Sequence, residues 1–198
     1  MVASSELIGV LKETQKGDKR VAITPKITKQ LIEKGFKVNV QEDAGANSSY
    51  KNSDYSKAGA SIRTKDDLFK NSDVLIKINP FEVKELQKLK KSQIIIAQLF
   101  HKSHPNEMKI IAEQGATAYS MDAMPRISRA QDMDVLSSQN NLAGYKAVIK
   151  GAYEMTKIFP LMMTAAGTIS PARVLVYGVG VAGLQAIATA KRLGAVVS

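Results

Sequence analysis

Residues 174–187 read Val-Leu-Val-Tyr-Gly-Val-Gly-Val-Ala-Gly-Leu-Gln-Ala-Ile. Gly178, Gly180 and Gly183 stand at Gly-x-Gly-x-x-Gly spacing, behind an apolar run and ahead of a helix-forming segment. That order suits a dinucleotide diphosphate. Gly178 lets the chain turn sharply, Gly180 lets backbone approach the phosphates, and Gly183 lets the helix lie close on the strand. The helix then aims its first amides and the positive end of its dipole at the anion. The other reading of the spacing is a βα turn that binds nothing, and the strand and helix on either side favour the dinucleotide. The acidic residue that would grip the adenosine ribose about 20 residues after the first glycine is not reached before Ser198.

Other constellations carry less chemistry. His101 and His104 stand three apart, but without cysteine or a neighbouring acidic cluster they read as a loop pair before Pro105, and no metal site is expected. Ser137 and Ser138 have no histidine near them in sequence to activate a nucleophile. Net charge is +10, yet the basic residues are spread along the chain. The densest group, Lys84 to Lys91, alternates with Leu86 and Leu89 as a solvated helix face. A nucleic-acid binder would show a patch or stripe, so no nucleic-acid partner is expected. No apolar run reaches the ~18 to 20 residues of a membrane span. The start, Met-Val-Ala-Ser-Ser-Glu, lacks the basic and apolar stretches of a signal peptide.

The elements that position these residues alternate. Leu7–Leu11 and Lys37–Gln41 read as strands. Between them Thr24 and Pro25 give an N-cap and a first-turn proline to a helix that Gly35 ends. Asp54–Ala60 and Asp66–Lys70 read as helical turns. Asp73–Ile78 and Gln93–Leu99 are apolar enough for buried parallel strands. Lys84–Leu89 and Pro105–Gln114 read as helices, and Ala116–Ser120 as a short strand. From Ser137 to Ile158 a long helix is expected, with Val148, Ala152, Met155 and Phe159 on one face. Arg173 then starts the strand before the glycine turn. Strands alternating with helices imply an α/β fold with parallel sheets. Hydrophobic content of 44% suffices for a core. The expected organisation is an N-terminal α/β lobe over 1–125, a loop and long connecting helix over 126–172, and over 173–198 a Rossmann lobe truncated after its first βα unit.

Between the two α/β parts lies a run from Pro125 to Val148 that contains Arg126, Gln131, Asp134 and Ser137 at Arg-x-x-x-x-Gln-x-x-Asp-x-x-Ser spacing. This segment resembles the NAD(H)-binding domain of the proton-translocating NAD(P) transhydrogenases, within the alanine dehydrogenase/transhydrogenase family. The runs Lys12–Thr14, Arg20–Pro25, Glu42–Ala46, Thr164–Thr168 and Pro171–Val176 are similar to further signatures of that family, so the resemblance covers essentially the whole chain. It implies two doubly wound parallel-sheet lobes with NAD(H) between them. Arg126 and Gln131 would lie near the carboxamide, supported by Asp134 and Ser137. Gly178, Gly180 and Gly183 would hold the diphosphate. Tyr145 would pack against or hydrogen-bond to the loop. The resemblance further implies NADP(H) on a partner domain, a membrane domain that translocates protons, a homodimer when intact, and a peripheral place on the cytoplasmic side of the inner membrane. The family's ribose-binding acid, later strands, mobile loop and swapped dimer hairpin are expected beyond Ser198. The isolated chain is therefore expected to be inactive.

The residue chemistry agrees with that assignment. Hydride exchange between two nicotinamides neither releases nor consumes a proton at the reacting carbons, so no catalytic acid or base is expected. Positioning and electrostatic support are what such a site needs. An arginine fork and a glutamine amide suit a carboxamide, and Asp134 could orient Arg126. Two alternatives stand beside it. An alanine dehydrogenase-like oxidoreductase would need cationic carboxylate anchors and a proton-transferring group. Arg20 could be one anchor, but Asn79 stands where the family's lysine is expected, with Lys77 and His101 offset from the expected places. The other alternative is a non-catalytic fragment that a partner chain completes.

Overall fold

The computed structural model describes residues 6–198, so the expectation for the first five residues lies outside the described residues. The chain forms two compact units, Met1–Pro125 and Arg126–Ser198. The segments 126–172 and 173–198 thus share one unit.

The first unit runs β1 (Leu7–Val10), α1 (Pro25–Glu33), β2 (Lys37–Gln41), α2 (Asn52–Lys57), β3 (Ser61–Arg63), α3 (Lys65–Asn71), β4 (Val74–Ile76), α4 (Val83–Leu86), β5 (Ile94–Ala97), α5 (Pro105–Glu113) and β6 (Thr117–Ser120). Its sheet has six parallel strands in the order β3-β2-β1-β4-β5-β6. Strand order reverses between β1 and β4, the doubly wound arrangement in which ligands favour the carboxyl ends of the central strands. The buried strands are β-branched and apolar. Val10, Val40, Leu75 and Ile95 are wholly buried. Neighbours alternate faces, so Val74 and Leu75 enter different core clusters. Thr24 caps α1 by accepting from the Ile27 amide, Pro25 opens it, and Gly35 follows it at φ +96°. Tyr55, fully buried, donates its hydroxyl to the Ile23 carbonyl at 2.9 Å. Burial, with smaller contributions from Tyr50 and Asp54, pushes that phenol up to about 12.

The second unit holds α6 (Val135–Glu154), the antiparallel pair β7 (Met162–Thr164) and β8 (Gly167–Ile169), β9 (Arg173–Val174), α7 (Val181–Arg192) and β10 (Val196–Val197). Strand β10 pairs parallel to β9. Val148, Phe159, Ala172, Ala190 and Ala195 form its core.

Three elements depart from the sequence reading. Strand β3 was not foreseen, because Ser-Ile-Arg carries a single apolar residue between polar ones. The β7–β8 hairpin stands where only helix breakers were read. Helix α6 stops at Glu154, and Met155 is already extended at ψ 144°. Met155 and Phe159 are therefore not on its face. The residue before Pro160 is disfavoured in helical backbone, and Phe159 reaches the core from a bend outside the helix, its carbonyl accepting from the Ala172 amide. No helix of the described residues is long and apolar enough to cross a membrane.

One buried charge cluster ties β4 to the helices over it. The Lys77 ammonium lies 3.1 Å from Glu85 Oε2 and 5.6 Å from the Phe81 ring centre, while Lys65 reaches Glu85 Oε1 at 2.7 Å. Burial pushes the Glu85 carboxyl up, but hydrogen bonds from Lys65, the Glu82 amide and Lys77 outweigh it, leaving it below its ordinary value. Removing one partner of a buried pair costs about 3–5 kcal/mol because the other charge stays buried. Glu85→Gln is expected to lose that much in urea unfolding at pH 7. Lys77→Met, which leaves Glu85 paired with Lys65, should lose less than about 1.5 kcal/mol. Because the folded Glu85 carboxyl is depressed, its contribution is complete above its ordinary 4.5 and is lost as pH falls through the folded value. The gap between wild type and Glu85→Gln should therefore close on acidification. Equal losses for the two variants, or a gap independent of pH, would contradict this account.

Candidate nucleotide site

The glycine turn is built by β9 and α7. After Val174 the pairing continues, with the Val176 amide donating to the Ser198 carbonyl at 2.9 Å. The chain then turns at Gly178, whose φ of +103° is a left-handed conformation that a side chain would strain. Gly180 is the N-cap of α7, in extended backbone, and no side chain caps that helix. The first helical bond at this end is from the Leu184 amide to the Gly180 carbonyl at 2.8 Å. The amides of Val181, Ala182 and Gly183 precede it and are the orphan donors of a helix start. A Cβ placed on Gly183 would lie 2.0 Å from the Gly178 carbonyl oxygen, whereas one on Gly178 or Gly180 meets nothing within 4 Å. Gly183 is thus required by close packing within the chain, and the face over Gly180 is open. Lys191 and Arg192 complement the dipole at the other end of α7. An uncapped, unobstructed helix start with converging amides fits a diphosphate.

The loop that precedes α6 forms a 3-10 turn over Ser128–Met133, anchored by buried Ala130. Asp134 caps α6. Its Oδ1 accepts from the Ser137 amide at 2.9 Å and its Oδ2 from the Ser137 hydroxyl at 2.6 Å. These bonds from Ser137, helped through space by Arg126, hold the Asp134 carboxyl below its ordinary value. Asp134 therefore fixes the helix start, and its charge also acts with that of Arg126 through space. Arg126 and Gln131 are exposed, and neither side chain hydrogen-bonds to another described residue. Two sets of hydrogen-bonding groups, the first-turn amides of α7 and the Arg126 and Gln131 side chains, therefore occur in one compact unit, Arg126–Ser198. Tyr145 is half-exposed on α6.

The carboxyl edge of the first unit's sheet carries a polar network that sequence reading did not assign. Glu13 accepts from the Ile78 amide at 2.6 Å, the Asn79 amide at 3.2 Å and the Asn79 side chain at 2.8 Å. Asp18 accepts from Arg20 Nε at 3.0 Å and Nη2 at 2.7 Å, and from Asn79 Nδ2 at 2.8 Å. The Arg20 fork holds the Asp18 carboxyl far below its ordinary value, and Asp18 in turn raises Arg20. On the same edge, Asp122 accepts from the Leu99 and Phe100 amides and from Ser120. Phe100 is held at φ +47° with its ring substantially exposed. His101 is exposed in the following turn, and His104 is the N-cap of α5. No group of three or more metal-ligating side chains occurs among the described residues. Glu13 lies within the Lys12–Thr14 run, but nothing local marks it as the acceptor for amides 65 residues away.

Comparison with known proteins sets this geometry in context. Residues 9–143 match the family model of the alanine dehydrogenase/PNT N-terminal domain, and residues 147–198 that of the corresponding C-terminal domain. The first part of NAD(P) transhydrogenase subunit alpha of Rhodospirillum rubrum is 48% identical over 196 residues, covering 96% of this chain and 51% of that protein. Alanine dehydrogenase 1 of Staphylococcus aureus is 34% identical over 147 residues, covering 74% of this chain and 38% of that protein. The crystal structure of transhydrogenase from Sinorhizobium meliloti superimposes with a TM-score of 0.93 at 44% identity, over 97% of this chain and 57% of that one. The chain spans about half the length of the curated transhydrogenase relative from Rhodospirillum. With both family models matched in order along the sequence, the chain belongs to the alanine dehydrogenase/PNT family.

Proposed function

We propose that this chain is the NAD(H)-binding part of an NAD(P) transhydrogenase, an oxidoreductase that passes hydride from NADH to NADP+. The observation that carries the reading is the open, uncapped start of α7 behind Gly178, Gly180 and Gly183, in the same unit as the Arg126–Gln131 loop. When bound, NADH supplies the hydride. The residues of this chain orient it. The amides of Val181 to Gly183 receive the diphosphate, and Arg126 and Gln131 present donors and an acceptor to the carboxamide. Asp134 and Ser137 fix the base of that loop to α6. None of these groups needs to gain or lose a proton, so the site acts by alignment and electrostatics. NADP(H) belongs to a partner domain and proton translocation to a membrane domain, with this chain peripheral on the cytoplasmic side of the inner membrane. Turnover is a property of the complete assembly.

Homodimerisation is part of the same reading. Hairpin β7–β8 and its approach expose Leu161, Met162, Met163 and Ile169, with Met163 80% exposed. A lone two-stranded hairpin is marginally stable in water, and an apolar one favours a partner surface. The hairpin is therefore the dimer contact in this reading.

The alanine dehydrogenase-like alternative requires free cations for a carboxylate substrate. Arg20 is already forked onto Asp18, and Lys77 is buried against Glu85. Both cations weighed as anchors are thus committed to carboxylates of the chain itself.

Calorimetric titration with NADH tests the proposal, on this chain and on a form extended to the length of its Rhodospirillum relative. Tighter binding by the extended form is expected. Arg126→Ala and Gln131→Ala should each weaken NADH at least tenfold and leave ADP-ribose unchanged, since that ligand lacks the nicotinamide. Identical NADH affinity in wild type and both variants would refute the carboxamide role. Ammonia-dependent oxidation of NADH by pyruvate should be undetectable, and measurable turnover would favour the dehydrogenase reading. In sedimentation velocity, Met163→Asp with Leu161→Asp should convert a dimer to a monomer.

A further inference from the structure

Helix α6 carries two interior glycines with opposite surroundings. A Cβ on Gly144 would lie 2.1 Å from the Ala182 carbonyl oxygen and 2.9 Å from its carbonyl carbon, while one on Gly151 meets nothing within 4 Å. The Gly144 obstacle is backbone, so no rotamer change relieves it, and the two helices would have to move apart. Glycine inside a helix costs roughly 0.5–1 kcal/mol relative to alanine. At Gly151 nothing in the structure offsets that cost. At Gly144 the offset is the backbone-to-backbone approach of α7 to α6.

The place of that approach matters. Ala182 is the second residue of α7, between Gly180 and Gly183. The N-terminus of α6 is the Asp134–Ser137 cap at the base of the Arg126–Gln131 loop. From Ser137 to Gly144 the helix rises about 10 Å at ~1.5 Å per residue. One rigid element therefore fixes the carboxamide loop at its end and the diphosphate turn at its middle. We propose that Gly144 is a positioning residue that sets the distance between these two subsites, so that one dinucleotide engages both at once. This rests on the dinucleotide reading above. Two subsites joined through one ligand reinforce each other only when their separation matches the link, and a displacement of about 1 Å can cost on the order of a hundredfold.

The test compares Gly144→Ala with Gly151→Ala in the full chain, using NADH and ADP as probes. ADP reaches the diphosphate turn but not the loop. Gly144→Ala should bind NADH at least tenfold more weakly and ADP within about threefold of wild type. Gly151→Ala should keep both affinities and melt slightly higher. Equal losses of ADP and NADH in Gly144→Ala would mean local damage to the turn and would overturn the spacing role, as would no loss of either. A wild type that bound neither nucleotide, both as this chain and when extended to the length of its relatives, would sink the dinucleotide reading instead. A ligand-free measurement then decides the spacing. The chain has no cysteine, so a spin label on Ser138→Cys reports its distance to the Val181–Leu184 amides by relaxation enhancement. That enhancement should drop in Gly144→Ala and hold in Gly151→Ala; no change in the former overturns the proposal. If Gly144→Ala does not fold, a triphosphate-bridged analogue of NADH lengthens the link on the wild-type chain. It should bind at least tenfold more weakly than NADH, and equal affinity refutes the role.

Discussion

Backbone lying directly on backbone is the constraint from which the second unit follows. Gly183 touches the Gly178 carbonyl with no room for a methyl group, and Gly144 touches the Ala182 carbonyl in the same way. These contacts press α7 against both its own strand and α6. Packing of this kind has no soft side-chain layer to absorb a displacement. It fixes where the amides of the first turn of α7 point. Alanine-rich packing continues the theme further along, where Ala172, Ala190 and Ala195 close the small core.

The first unit solves a different problem with carboxylates. The chain must reverse sharply at the carboxyl edge of the parallel sheet, where backbone amides lose their ladder partners. Glu13 serves the amides after β4 and Asp122 those after β5; in the second unit Asp134 does the same at the start of α6. A carboxylate accepting backbone amides stays ionised more easily than it would in water. Asp122 keeps below its ordinary value even though burial pushes the other way, because Ser120 and the Phe100 and Leu99 amides outweigh it. The same chemical group thus terminates strands, starts helices and neutralises Arg20.

What sequence reading recovered was local. Thr24 and Pro25 announced α1, the apolar runs announced β4 and β5, and the glycine spacing announced a strand, a sharp turn and a helix. The Arg126–Ser137 spacing led to the family through resemblance rather than through physics, since arginine and glutamine at that spacing dictate no fold. What escaped was set by distant partners. Strand β3 exists because β2 offers it an edge, and Glu13 acquires its role only when β4 arrives beside β1. Gly144 looked like a mere interruption in a helix, because its reason is a carbonyl almost forty residues away. The early end of α6 has the same origin, in the need to bring Phe159 back to Val148.

Phe100 shows what such a network can maintain against local preference. A bulky residue in left-handed backbone costs about 1–2 kcal/mol, and the amide pair held by Asp122 keeps it there. Glycine at this position would relax the turn but give up the ring's tilted contact with His104, 6.5 Å between centroids. The corner trades backbone comfort for an aromatic face presented on the carboxyl edge of the sheet.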